Sequence, residues 1–190
     1  MKLYRLKNKD MNWADYGDIL LTGMTSHLDR QKELLQYERT GPFQPSIIIS
    51  GLDDLLVTDS VKKGIEASEL KGFQFKPVIK RHISFVDWTN WNLQSEDPEF
   101  YPDNGEPENY ILSLPHSQEL SDQMENVWEV VAEENGIFIN SQTYKQGDKD
   151  IDIMRTENSG WFLVTENAKN WIEENCDKWT EFWDLDDLPY

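Results

Sequence analysis

Residues 55–78 read LLVTDSVKKGIEASELKGFQFKPV, and the order of residue types in this stretch decides the fold class. Leu55, Leu56 and Val57 form a short apolar run of the kind a buried strand carries. Thr58 follows as a candidate helix N-cap, since its hydroxyl can accept from an orphaned backbone N–H, and Asp59 sets a negative charge at the positive end of the helix dipole. Val61, Gly64 and Ile65 fall on one helical face. Gly72 then supplies a stop, and Phe73 and Phe75 alternate with Gln74 as in a half-buried strand. The stretch predicts a strand-helix-strand unit.

The same grammar returns near the C-terminal end. At a gapless offset of 107 residues, Leu56, Val57, Thr58, Lys62, Ile65, Glu66, Lys71 and Phe75 recur as Leu163, Val164, Thr165, Lys169, Ile172, Glu173, Lys178 and Phe182, eight identities in twenty positions. Glu166 takes the first-turn place of Asp59, and Ala168, Trp171 and Ile172 repeat the apolar face. Two copies do not separate a duplication from the shared grammar of capped helices. Either origin predicts a helix docked on a sheet at both places.

Working outward, Lys2–Leu6 predicts a short strand, Asp18–Thr22 a buried strand or a helix start, and His27–Tyr37 a helix that ends before Gly41, Pro42 and Pro45. Ile47, Ile48 and Ile49 are a β-branched run typical of a buried strand. Pro77–Val86 predicts a long strand with Ile79, Ile83 and Phe85 on one face, and Tyr110–Leu114 another strand. Ser117 is placed to cap a helix through Asn126, with strands at Val127–Val131, Ile137–Ile139 and Trp161–Val164. Together these give a single mixed α+β domain over residues 1–190, mainly antiparallel, with about three to four helices. A folded chain of this length buries roughly 70% of its unfolded surface. A hydrophobic content of 38% with eight Trp and eight Phe is enough for a core.

Charge is distributed unevenly. From His82 to Tyr144 there is no Lys or Arg but thirteen Asp and Glu, whereas residues 1–81 hold thirteen basic against eleven acidic side chains, and residues 145–190 five against twelve. A net charge of -18 repels phosphate backbones and anionic membrane surfaces, so neither nucleic acid nor membrane is an expected partner. Acidity serves solubility as readily as association, but its concentration in one segment points to a cationic partner. No apolar run is long enough for a membrane span, and the first ten residues do not read as a secretory leader. The lone Cys176 cannot form an internal disulfide, which suits a reducing compartment such as the cytoplasm.

Within the acidic segment, Asp87–Asn109 reads as a long loop, with Pro98, Pro102, Asn104-Gly105 and Pro107 in a short span. Structureless connections of this length are uncommon in compact domains and are often functional. Trp88, Trp91, Asp97, Glu99, Tyr101, Glu106 and Glu108 are the candidate partner-binding residues, because acids supply long-range attraction and large aromatics supply lasting contact. For each Trp the competing role is core packing, and for each acid simple solvation.

Other chemistries find less support. Asp148, Asp150 and Asp152 imitate the start of a calcium loop, but Ile153 and Ser159 stand where such a loop needs Gly and Glu, and alternation with Ile151 and Ile153 places the acids on a strand's solvent face. His27, His82 and His116 lie far apart, with no zinc spacing. Cys176 with His116 lacks any nucleophile signature. Glu96, Asp97, Glu99, Glu106 and Glu108 beside aromatics could pair across a sugar as in glycosidases. No phosphate-binding loop or nucleophile elbow is present, so no catalytic residue, metal or cofactor is assigned.

The segment Leu56–Val78, the opening MKLYRL and the Trp-rich Asp87–Trp91 resemble the immunity proteins of bacterial polymorphic toxin systems. The resemblance covers about a quarter of the chain. It implies a cytoplasmic, non-enzymatic α+β protein that binds and blocks a cognate basic toxin, often a nuclease. The alternatives are a small carbohydrate-active hydrolase using paired carboxylates and a structural interaction protein with no toxin partner. Oligomeric state is not legible.

Overall fold

The computed structural model describes residues 2–26, 34–140 and 143–187. The elements are β1 (Leu3–Asn8), α1 (Asp15–Thr22), β2 (Met24–Ser26), β3 (Leu35–Gly41), β4 (Ile47–Ile49), β5 (Leu55–Thr58), α2 (Asp59–Glu66), β6 (Phe73–Phe85), α3 (Asn109–Leu112), α4 (Gln118–Gln123), β7 (Val127–Glu134), β8 (Gly136–Asn140), β9 (Thr143–Gln146), β10 (Ile153–Arg155), β11 (Phe162–Thr165), α5 (Glu166–Asn175) and β12 (Thr180–Asp184). Ten strands form one sheet in the order β12-β1-β11-β10-β7-β6-β3-β2, with β5 paired to β7 and β4 to β5, while β8 and β9 form a separate hairpin. Among the described pairings β3 with β6 and β10 with β7 are parallel and the others antiparallel. The class is α+β, with five α-helices among the described residues rather than three to four.

The two similar segments are structural copies. Val127, Trp128 and Glu129 of β7 face Thr58, Val57 and Leu56, and Leu3, Tyr4 and Arg5 of β1 face Thr165, Val164 and Leu163. On its other side β7 sets Trp128 and Val130 against Pro77 and Phe75, as β1 sets Tyr4 and Leu6 against Asp184 and Phe182. The correspondence extends upstream: Ile47–Ile49 pair with Val57–Leu55 as Ile153–Arg155 pair with Val164–Phe162. Details recur too. Lys62 Nζ lies 2.7 Å from Glu66 and 4.6 and 5.5 Å from the Trp128 and Phe75 rings, and Lys169 Nζ lies 2.6 Å from Glu173 and 5.4 Å from the Tyr4 and Phe182 rings.

Both helices cover the same core. Val61, Ile65, Ala168 and Ile172 pack with Leu55, Val57, Phe162, Val164, Leu6 and Val130 in one buried cluster. At the contact between the copies a Cβ on Gly64 would come within 2.9 Å of Trp171, which occupies the matching place in the second copy. Glycine on one helix thus makes room for indole from the other.

The caps differ. Thr165 Oγ1 accepts from the Ala168 N–H at 3.3 Å and donates to Asp152 at 2.8 Å. Thr58 holds the N-cap position of α2 but makes no such bond. There the first N–H groups go instead to the Asn126 carbonyl, at 2.9 Å from Asp59 N, and to the Glu125 carboxylate, at 2.7 Å from Ser60 N. Thr165→Ala should therefore lower unfolding free energy by about 1–2 kcal/mol, and Thr58→Ala by clearly less. Urea denaturation of the two variants checks this, and equal losses would contradict it.

Several expectations are corrected. Of the helix expected over residues 27–37, residues 27–33 lie outside those described, and from Leu35 the chain is strand β3. Tyr110–Leu114 is not a strand, since α3 takes Asn109–Leu112, whereas Asp18–Thr22, left open between buried strand and helix start, lies in helix α1. The strands expected around Phe73–Phe75 and Pro77–Val86 are one strand, β6. Its residues 73–77 pair with β7 and its residues 78–85 with β3. Pro77 sits at that handover, where a missing N–H costs least.

Candidate partner-binding face

The chain leaves β6 at Phe85, and the Val86 N–H bonds the Gly41 carbonyl at 2.9 Å. A 3-10 turn follows over Trp88–Asn90, closed by the Asp87 carboxylate accepting from Thr89 Oγ1 at 2.8 Å and Asn90 Nδ2 at 2.6 Å. This turn drives Trp88 inward, against Phe43 at 5.1 Å and Trp179 at 5.5 Å between ring centroids. Trp88 is 0% exposed, so it is a core residue and not part of a binding face. Its indole would have to leave the core to touch a partner.

Beyond the turn the loop has little regular structure but many fastenings. Asn12 Nδ2 donates to the Leu93 carbonyl, Trp13 Nε1 to Ser95 O at 3.0 Å, and Tyr16 Oη to the Gly105 carbonyl. Trp91 lies half-buried against Trp13, Phe100 and Tyr110, at 5.6, 5.2 and 6.1 Å. Tyr110, almost fully buried, donates its hydroxyl to the Phe100 carbonyl, and Tyr16 packs edge-on against Tyr101 at 4.9 Å. The loop is thus seated on an aromatic base supplied by residues 12–16 and α3. The sequence showed the loop but gave no sign of these N-terminal contributors.

On this base Asp97, Glu99, Tyr101, Glu106 and Glu108 are exposed, together with Glu96, Phe100 and Asp103. Phe100 is 47% and Tyr101 48% exposed, large for aromatics. The Tyr101 hydroxyl donates to Asp97, which fixes the ring beside the carboxylate and pushes its phenol pKa up. Of the thirteen acids from Asp87 to Glu134, Glu133 forms an ion pair, with Lys149 at 3.0 Å. The loop acids form none among the described residues. Trp91 supports this face from beneath, Trp88 stands outside it, and the remaining five predicted residues share the loop surface.

The other candidate chemistries resolve into structure. Asp148 and Asp150 are exposed, but Asp152 is half-buried ahead of β10 rather than on a solvent face. It accepts from Thr165 Oγ1 at 2.8 Å and from Lys71 N at 3.1 Å, so it joins the two copies. Burial pushes the Cys176 thiol up to about 12, opposite to what an activated nucleophile needs. His27 lies outside the described residues. His82 and His116, distant in sequence, have ring centroids 5.7 Å apart. The His116 Nδ1 accepts from Ile83 N at 2.9 Å, and the Ser117 N–H bonds Ile83 O at 2.7 Å. This pair closes part of the free edge of β6, where open strand would invite aggregation. Four surface grooves are lined by residues other than the loop acids. Among the described residues no helix is long and apolar enough to cross a membrane. No known family model matches the chain, and no curated protein sequence matches it.

Proposed function

We propose that this protein is a non-enzymatic immunity protein of the cytoplasm that binds and blocks a cognate basic toxin domain, with a nuclease as the best-fitting kind. The observation that carries this reading is the loop of residues 96–108, whose acids form no ion pair among the described residues while its base is fastened by aromatics, Trp13 and Tyr110 among them buried. A nuclease needs a cationic surface for phosphates, and unpaired carboxylates on a fixed loop can occupy that surface in place of the polyanion. Fixing the loop beforehand lowers the ordering cost of association. Phe100 and Tyr101, exposed amid the acids, would supply apolar contact once the charges have brought the partner close.

The test is binding to the basic toxin domain encoded beside the gene, measured by surface plasmon resonance at rising salt. Association should slow steeply as the Debye length falls below about 8 Å. The variant Asp97→Asn/Glu99→Gln/Glu106→Gln/Glu108→Gln should associate about tenfold or more slowly with its melting temperature unchanged. A salt-independent interaction, or a neutralised loop that binds as well as the original, would remove the proposal's basis.

A further inference from the structure

The two copies differ on the sheet face opposite their shared core. Around β7 that face carries Glu129 beside Lys76, and Leu56 and Val127 are covered by Leu35 and Tyr37 of β3. Around β1 the matching positions are Arg5 and Trp183. The Arg5 guanidinium lies 3.6 Å from the centroid of the Trp161 ring and 5.7 Å from that of Trp183, and Lys7 Nζ lies 3.6 Å from the Trp183 ring. The first copy has none of these residues on that face, which β3 covers instead.

Arg5 and Trp161 line a surface groove of about 260 Å³ between β1, the β4–β5 turn and α1, with Lys9, Asp18 and Asp53 also on its walls. Lys7 is already engaged, with Asp10 at 3.5 Å and Glu181 at 3.1 Å. Arg5 is half-buried, and among the described residues its guanidinium has no hydrogen bond or ion pair; the carboxylate that acts on it is that of Asp53, on the wall of the same groove. A guanidinium held over an indole by the ring's π-face still has N–H donors to offer, and their fork matches the two oxygens of a carboxylate or phosphate. The Asp53 carboxylate beside Arg5 would repel a bare polyanion but attract an amine.

We infer that this groove binds a small zwitterion, whose carboxylate or phosphate accepts from Arg5 and whose amine faces the neighbouring Asp53. The site shares no residue with the acidic loop and stands whether or not a toxin is bound there. The experiment is calorimetric titration of the full chain with 4-aminobutyrate as the carboxylate probe and phosphoethanolamine as the phosphate probe, with acetate and inorganic phosphate as single-headed controls. One zwitterion should bind saturably, and the arm that binds identifies the head group. Arg5→Gln should weaken that binding by about tenfold or more, and Arg5→Lys, which keeps charge but loses the fork, by less. Circular dichroism melting should show both variants folded. No saturable heat from either zwitterion, unchanged affinity in Arg5→Gln, or controls that bind as tightly would each overturn the inference.

Discussion

Ile65→Ala and Ile172→Ala are each expected to lower unfolding free energy by about 2–5 kcal/mol, and by similar amounts. The two isoleucines occupy matching positions on α2 and α5, and they are 3% and 2% exposed in one cluster fed by both copies. Truncating either leaves a cavity among side chains fixed by strands on both sides, where relaxation is limited. Because the cluster is shared, damage in one copy should be felt by the other. Urea unfolding followed by tryptophan fluorescence and by far-ultraviolet circular dichroism should give one coincident transition for each variant. Two separated transitions, with one left in place by Ile172→Ala, would show that the copies fold as independent units.

Trp88→Ala should cost about 3–5 kcal/mol, as large aromatic truncations in cores do. It would also free the start of the acidic loop, because Trp88 ties residues 87–91 to Phe43 and Trp179. Trp88→Phe should cost less than the alanine change. It keeps a ring in place and removes an Nε1–H that meets no acceptor among the described residues. Tyr101→Ala, at an exposed position, should shift stability by less than about 1 kcal/mol. Thermal and urea unfolding of the three variants separates these roles. A stability loss for Tyr101→Ala as large as for Trp88→Ala would contradict the division between anchor and surface.

The sequence was most legible where local and tertiary demands agree. In residues 55–75 and 162–182 the apolar faces, first-turn acids and strand runs all point to one arrangement, and the structure has it in both places. Strand β3 was missed because its sequence, LQYERTG, mixes polar residues that are nonetheless buried. Arg39, 0% exposed, donates to Thr40 O at 2.7 Å, to the Tyr37 hydroxyl at 2.9 Å and to Leu20 O at 3.5 Å, and the Tyr37 hydroxyl donates to Thr22 O at 2.9 Å. The strand is polar because it receives the C-terminal carbonyls of α1, a need visible only once both are placed. Tyr110–Leu114 was misread because a short apolar run suits strand and buried helix alike. In the loop, composition located the acids, but the fate of Trp88 depended on Phe43 and Trp179, which no local pattern connects to it.

Strand β1 lies between β11 and β12, so residues 3–8 have their hydrogen-bonding partners among residues 163–184, which are made only after the whole of the other copy. The copy built from β4, β5, α2, β6 and β7 can assemble as soon as residue 134 is clear of the tunnel. The other must hold β1 unpaired until residues 163–184 have been made. Chains cut short by premature termination would carry that strand exposed, with Leu3, Tyr4 and Leu6 open to any edge or chaperone that meets them.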